Sequence, residues 1–130
     1  MKILVAYDGS RSADLALRTA TAYAGPFGAS VLVVTSLYGK HETTREDVNQ
    51  ARERLDDALA LVKNEGLAGE QHLLIRGLQP GEDIVAFAKE NEVDQIVIGA
   101  RRRSKIGKLV FGSNAQYIIL KAHCPVVTVK

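Results

Sequence analysis

Apolar residues along this chain fall into two kinds of run that alternate. Short unbroken blocks of β-branched and aliphatic residues predict strands covered on both faces, and longer stretches with apolar positions three, four and seven apart predict amphipathic helices. Lys2 to Ala6 is the first block, and the strand ends at Asp8 within the polar turn Tyr7-Asp8-Gly9-Ser10. From Ser12, an N-cap candidate, Ala13, Ala16, Leu17, Ala20, Tyr23 and Ala24 keep helical spacing until Gly25-Pro26 stops it. Ser30 to Leu37, built on Val31-Leu32-Val33-Val34, is a second strand. Thr43-Thr44 followed by Glu46 and Asp47 has capping-box spacing and opens a long helix, with Val48, Ala51, Leu55, Ala58, Leu59 and Val62 on one face until Gly66. Its other face, with Arg45, Asn49, Arg52, Asp56 and Lys63, reads as a solvated surface.

Gln71 to Arg76, centred on Leu73-Leu74-Ile75, predicts a third strand. The turn Gly77-Leu78-Gln79-Pro80-Gly81 leads into a third helix with Glu82 and Asp83 in its first turn and Ile84, Val85, Phe87 and Ala88 as apolar contacts. Ile96-Val97-Ile98 is a fourth strand, Ala115, Ile118, Ile119 and Ala122 recur as a fourth helix, and Pro125 to Val129 closes the pattern as a fifth strand. Strand and helix in this rhythm predict an α/β fold of three layers, a parallel sheet with helices on both faces. In such sheets a ligand sits at the carboxyl ends of the strands, where the strand order reverses. Strands one and four would border that crevice, with Ala6-Tyr7-Asp8 on one side and the stretch from Gly99 to Asn114 on the other.

Charge sharpens this picture at one place. The stretch from Gly99 to Asn114 is a strand-to-helix loop holding Arg101, Arg102, Arg103, Lys105 and Lys108 and no acid. Lys and Arg number 17 in all, so these five leave 12 cations against 15 acids, a net of −3 for the remainder although the whole chain is at +2. Gly99 ends the strand without a Cβ, and Gly112-Ser113-Asn114 opens the helix with small and capping residues, so backbone N–H groups stand where the helix dipole is positive. That combination favours an anion or a nucleotide. Asp8 has two readings here: a cap for the first helix, or an acceptor for a ribose or base edge.

The remaining composition mainly excludes. At 130 residues, 46% hydrophobic and 25% charged, the chain has room for one ordinary globular domain over residues 1–130 and not for two. The lone Cys124 rules out an internal disulfide and suits a reducing cytoplasm. Met1 to Val5 is too short an apolar run for a signal peptide or a span, so an unprocessed N-terminus and no membrane contact are expected. His41, His72 and His123 fall in a loop, a strand and a pre-strand segment without metal spacing, and no metal site is expected. Neither G-x-S-x-G nor a complete Walker phosphate loop is present. A phosphorylated receiver would need an Asp at the end of strand three, where Arg76-Gly77 stands. Nucleic-acid binding through Arg101 to Lys108 lacks interleaved aromatics and a second basic stripe. No catalytic set emerges.

These residues together resemble the universal stress protein family along the whole chain. The resemblance rests on Val5-Ala6-Tyr7-Asp8-Gly9-Ser10 before an Ala-rich helix, Pro80-Gly81 before the third helix, the strand from Asp94 to Gly99, and Cys124-Pro125-Val126-Val127-Thr128-Val129. The family's nucleotide motif, G-x2-G-x9-G-[ST], reads here Gly99-x2-Arg102-x9-Gly112-Ser113, with the spacing kept and the second glycine replaced by arginine. The resemblance implies an adenine nucleotide alpha hydrolase-like fold, a five-stranded parallel sheet of order 3-2-1-4-5 with four helices. It also implies a homodimer and, in many members, bound ATP or AMP, with Mg2+ accompanying ATP. By position, Ala6, Tyr7 and Asp8 would flank the adenosine, the Ser36 backbone would meet the adenine edge, and Gly99, Gly112, Ser113 and Asn114 would hold ribose and phosphates. Arg102, where the motif has glycine, would either block the close backbone approach of the phosphate or replace it with a bidentate contact. The expected function is a cytoplasmic, dimeric signalling module of the stress response rather than an enzyme. The alternatives are a slow ATP hydrolase or phosphotransferase, for which only Asp8 offers a carboxylate, and a dimeric interaction protein without nucleotide. The exposed edge of strand 125–129 is the expected homodimer contact.

Overall fold

The computed structural model describes residues 1–102 and 109–130. Its elements run β1 (Lys2–Ala6), α1 (Arg11–Ala24), β2 (Ser30–Ser36), α2 (Arg45–Asn64), β3 (Gly69–Leu74), α3 (Pro80–Glu90), β4 (Gln95–Gly99), β5 (Arg101–Arg102), β6 (Leu109–Val110), α4 (Ser113–Lys121) and β7 (Val126–Val129). Five of the strands form one sheet in the order β3-β2-β1-β4-β7, and every neighbouring pair is parallel. Counting only these strands, the order is the expected 3-2-1-4-5. The chain goes outward from β1 to β3, then returns to the other side of β1 with β4, so the order reverses between β1 and β4.

Side-chain alternation divides the core into two layers. Ile3, Val5, Val31, Val33 and Val97 face α1 and α2, packing on Ala16, Leu17, Ala20, Leu55, Ala58 and Val62. Leu4, Leu32, Val34, Ile96 and Ile98 face the other way, onto Ile84, Phe87, Ala88 and Ile118 of α3 and α4. The near-continuous apolar runs of the central strands have this cause: each residue is buried on one face or the other.

Several boundaries differ from the sequence expectation for identifiable reasons. β1 stops at Ala6 rather than Asp8, although Tyr7 still donates to the Val34 carbonyl at 2.8 Å. Helix α1 is capped by Ser10 rather than Ser12. Asp8 accepts from the Ser10 N–H at 2.9 Å, which turns the chain early, and the Ser10 hydroxyl then takes the Ala13 N–H at 3.2 Å. The Thr44–Asp47 capping box of α2 is present, with both reciprocal bonds. β2 ends at Ser36 rather than Leu37, one residue short. β3 lies at 69–74 rather than 71–76 because its register is set by β2, from Val31 opposite Gly69 to Ser36 opposite Leu74. Arg76, beyond the strand, turns back to α3. β7 begins at Val126, not Pro125, whose carbonyl nonetheless accepts from Ile96 N–H.

The largest departure lies in the basic stretch. Arg101–Arg102 pairs antiparallel with Leu109–Val110, so the expected plain loop contains a two-residue ribbon. Arg103, Lys105 and Lys108 lie outside the described residues.

Candidate functional site

The carboxyl ends of the sheet form a crevice of about 460 Å³ on both sides of the β1–β4 switch. Of the residues expected there, Ala6, Tyr7, Asp8, Ser36, Gly99, Gly112, Ser113 and Asn114 all line it. For Arg102 the structure gives the backbone position, opposite Leu109 in the ribbon.

At one end stands the start of α4. Gly112 is its N-cap and supplies no side-chain bond, and there is no acid in the first turn. Among the described residues no side chain caps the first N–H groups of the helix, and Gly112 and Ser113 line the crevice. Asn114, read from sequence as a capping residue, serves the neighbouring helix instead: its Oδ1 accepts from Gly81 N–H at 2.9 Å, tying the start of α4 to the start of α3. Gly99 is fixed by close approach. A Cβ there would lie 2.3 Å from the Ser12 carbonyl oxygen, so the end of β4 packs directly against the first turn of α1 with no room for a side chain.

The opposite wall is β1 and β2. Tyr7 lines the crevice, but its hydroxyl donates to Asp14 of α1 at 2.6 Å. Burial, followed by the bond and charge of Asp14, pushes the Tyr7 phenol up to about 12, so it stays a neutral donor in neutral solution. Thr35 gives its hydroxyl to the Tyr7 carbonyl at 2.6 Å. Ser36 donates to Asp83 at 2.7 Å, and Asp83 is fully buried. The other Asp83 oxygen accepts from Arg76 Nε at 2.6 Å, and Arg76 also reaches Glu90 at 2.9 Å. Glu90 is the main cause, with burial opposing and Asp83 adding, that raises the Arg76 guanidinium above its ordinary value.

Sequence reasoning missed part of this wall. Asp47, Gln50 and Arg54 of α2 line the crevice, although the polar face of that helix read as solvated surface. Arg54 lies against Gly9, whose φ of +80° suits glycine and where a Cβ would fall 2.6 Å from Arg54 Cδ. Asp83 read as a first-turn acid complementing the dipole of α3, and nothing in its spacing from Arg76 marked a buried pair. Among the described residues, no three His, Cys, Asp or Glu side chains form a group that could hold a metal.

A family model described as the universal stress protein family matches residues 1–130. A universal stress protein of Thermus aquaticus is 34% identical over 137 residues, covering 98% of this chain and 97% of that protein. A solved universal stress protein from Archaeoglobus fulgidus is 47% identical, with a TM-score of 0.92 over 100% of this chain and 98% of the other. An A. fulgidus universal stress protein solved in complex with dAMP is 44% identical, with a TM-score of 0.86 over the same shares of the two chains.

Proposed function

The chain belongs to the universal stress protein family, and from that premise we propose that it is a dimeric, cytoplasmic module of the stress response that holds an adenine nucleotide, AMP or ATP, in the crevice above β1 and β4. The observation that carries the reading is the start of α4: a helix N-terminus without a side-chain cap, opening on the crevice beside a stretch of chain rich in arginine and lysine. Orphan N–H groups, a positive dipole end and local cations together favour a phosphate. The dAMP bound by the A. fulgidus relative supports an adenine nucleotide as the ligand. In this reading Gly112 and Ser113 hold phosphate with Arg102, Asn114 and Gly99 border the ribose, and Ala6, Tyr7, Asp8 and Ser36 flank the adenosine.

Binding rather than turnover fits the carboxylates of the crevice. Asp8 accepts from Ser10 N–H, and Asp47 is half of the α2 capping box. For ATP, Mg2+ would therefore be held by phosphate oxygens and water rather than by a protein cage. The lone Cys124 supports a reducing compartment.

Titration calorimetry tests the reading directly. AMP should bind saturably, one per chain, and about tenfold or more tighter than adenosine, because the helix terminus acts only on the phosphate. Absence of binding by both AMP and ATP would leave the interaction-protein alternative.

The dimer rests on the free edge of β7. Pro125 and Val129 turn their carbonyls toward β4, accepting from Ile96 and Ala100, so by alternation Val126 and Thr128 present their N–H and C=O groups outward. Pairing with a second copy would satisfy those groups. Thr128→Pro removes an outward donor while sparing the bonds to β4. It should convert the dimer to a folded monomer, read by light scattering together with circular dichroism, and an unchanged dimer would refute this edge as the contact.

A further inference from the structure

The sheet has a second free edge, far from the crevice's phosphate end. β3 closes the sheet on the side away from β7, and its bonds to β2 fix which of its groups face outward. The Ala68 and Leu74 carbonyls accept from Val31 and Leu37 N–H at 3.0 and 2.9 Å. By alternation Gly69, Gln71 and Leu73 turn their N–H and C=O groups away from the sheet. Side chains alternate along the same strand. Gln71 donates to Asp56 of α2 at 2.8 Å, and a Cβ on Gly69 would meet Val62 and Leu59 of α2. On the opposite face His72 packs against Phe87 of α3, with ring centroids 4.8 Å apart, and lies 2.9 Å from a Glu70 carboxylate oxygen. Beside the edge, Arg52, Leu55 and Asp56 of α2 enclose with Gln71 and Leu73 a groove of about 330 Å³. Proline and bulges commonly blunt such an edge, and β3 has neither.

What complements this edge is the edge itself. Two copies related by a twofold axis pair antiparallel, and bonds form only between outward-facing residues, so the axis falls on Glu70, Gln71 or His72. Centred on Glu70, the pairing sets glutamate against glutamate. Centred on His72, it sets histidine against histidine and leaves Gly69 unpaired. Centred on Gln71, it uses all the outward residues, with Gly69 of each copy opposite Leu73 of the other. That register also sets Glu70 of each copy opposite His72 of the other, so carboxylates and imidazoles alternate around the axis, the favourable cross-strand arrangement. On the other face α2 packs on both β2 and β3, which brings the two α2 helices to roughly 10 Å, a helix-packing distance. The groove is then closed, with Arg52 of each copy turned toward Asp56 of the other. We propose that β3 is a second self-association edge, at which two copies of this chain join antiparallel about Gln71 into one continuous sheet. The contact is short and mostly polar, so it forms at higher concentration than the β7 pair, and it builds assemblies larger than the dimer.

Disulfide trapping in a Cys124→Ser background reads the register. Gln71→Cys puts each new sulfur opposite its own image, at a Cα separation of about 5.5 Å that a disulfide can span, so mild oxidation should give a linked dimer. Glu70→Cys alone and His72→Cys alone should link about tenfold less, because each faces the other position, and a mixture of those two variants should link well. Sedimentation of the unlinked protein tests the charges. Wild type should grow beyond the dimer as concentration rises, and Glu70→Lys should weaken that step about tenfold. Adding His72→Glu to Glu70→Lys restores an opposite pair across the edge and should recover the step, with circular dichroism as the folding control. Trapping at Gln71 should persist when Thr128→Pro is also present, which separates this edge from that of β7, and its loss there would count against β3 as an edge of its own. Linking no greater for Gln71→Cys than for Glu70→Cys, or a higher assembly unmoved by Glu70→Lys, would overturn the pairing.

Discussion

Replacing Arg76 by alanine is expected to destabilise the fold by about 3 kcal/mol, the lower end of the cost of stripping one partner from a buried ion pair. The lower end applies because Arg76 is itself one-third exposed, while the side chain it serves, Asp83, is at 0%. Without the guanidinium, a carboxylate between β2 and α3 would retain, among the described residues, the Ser36 hydroxyl as its side-chain partner. Glu90 matters less for stability although it contributes most to raising the Arg76 pKa, because its side chain is 54% exposed and a solvated pair of that kind contributes under about 1 kcal/mol. Glu90→Gln should therefore change little. Adding Asp83→Asn to Arg76→Ala should recover a substantial part of the loss, since a buried neutral amide carries a much smaller desolvation penalty than a buried charge. Urea melts of the four proteins decide this. A loss below about 1 kcal/mol for Arg76→Ala would show that Asp83 does not depend on the pair.

That pair also marks where the sequence stopped being legible. The strands and helices could be placed because burial on one or two faces leaves a period in the chain, and Val31 to Val34 or Ala13 to Ala24 carry that period plainly. The position of the crevice followed from topology, since the reversal between β1 and β4 brings Asp8 and Gly99 together whatever the loops do. Arg76 and Asp83, by contrast, meet across a turn, and no periodicity records a contact of that kind. Asp83 looked like any acid in a first helical turn. The end of β3 was misplaced for a related reason: Leu73-Leu74-Ile75 is the most apolar part of the segment, but pairing with β2 rather than hydropathy sets the register, and Ile75 is left 43% exposed. The ribbon at Arg101–Arg102 and Leu109–Val110 is too short to leave any alternation. Gly99 was legible as a residue without a Cβ, yet its reason is the Ser12 backbone as much as any ligand.

The same distinction between structural and binding roles yields a second large effect, at Ser113. Aspartate at this position puts a carboxylate in the first turn of α4, where the dipole is positive and no acid stands now. For the fold this is mildly favourable, about 0.3–1 kcal/mol. For a phosphate at the same helix end it is strongly unfavourable: a like charge about 4 Å away costs about 4 kcal/mol per unit charge at an effective dielectric constant of 20. Allowing for the cations of the neighbouring basic stretch, AMP affinity in Ser113→Asp should fall roughly 30- to 1,000-fold, or about 2–4 kcal/mol. Adenosine, without the phosphate, should lose far less. Thermal melts and calorimetry on the one variant should thus move in opposite directions, stability up and AMP affinity down. Parallel losses of stability and of adenosine binding would mean that the substitution had damaged the crevice. An AMP affinity unchanged in a stabilised variant would place the phosphate somewhere other than the start of α4.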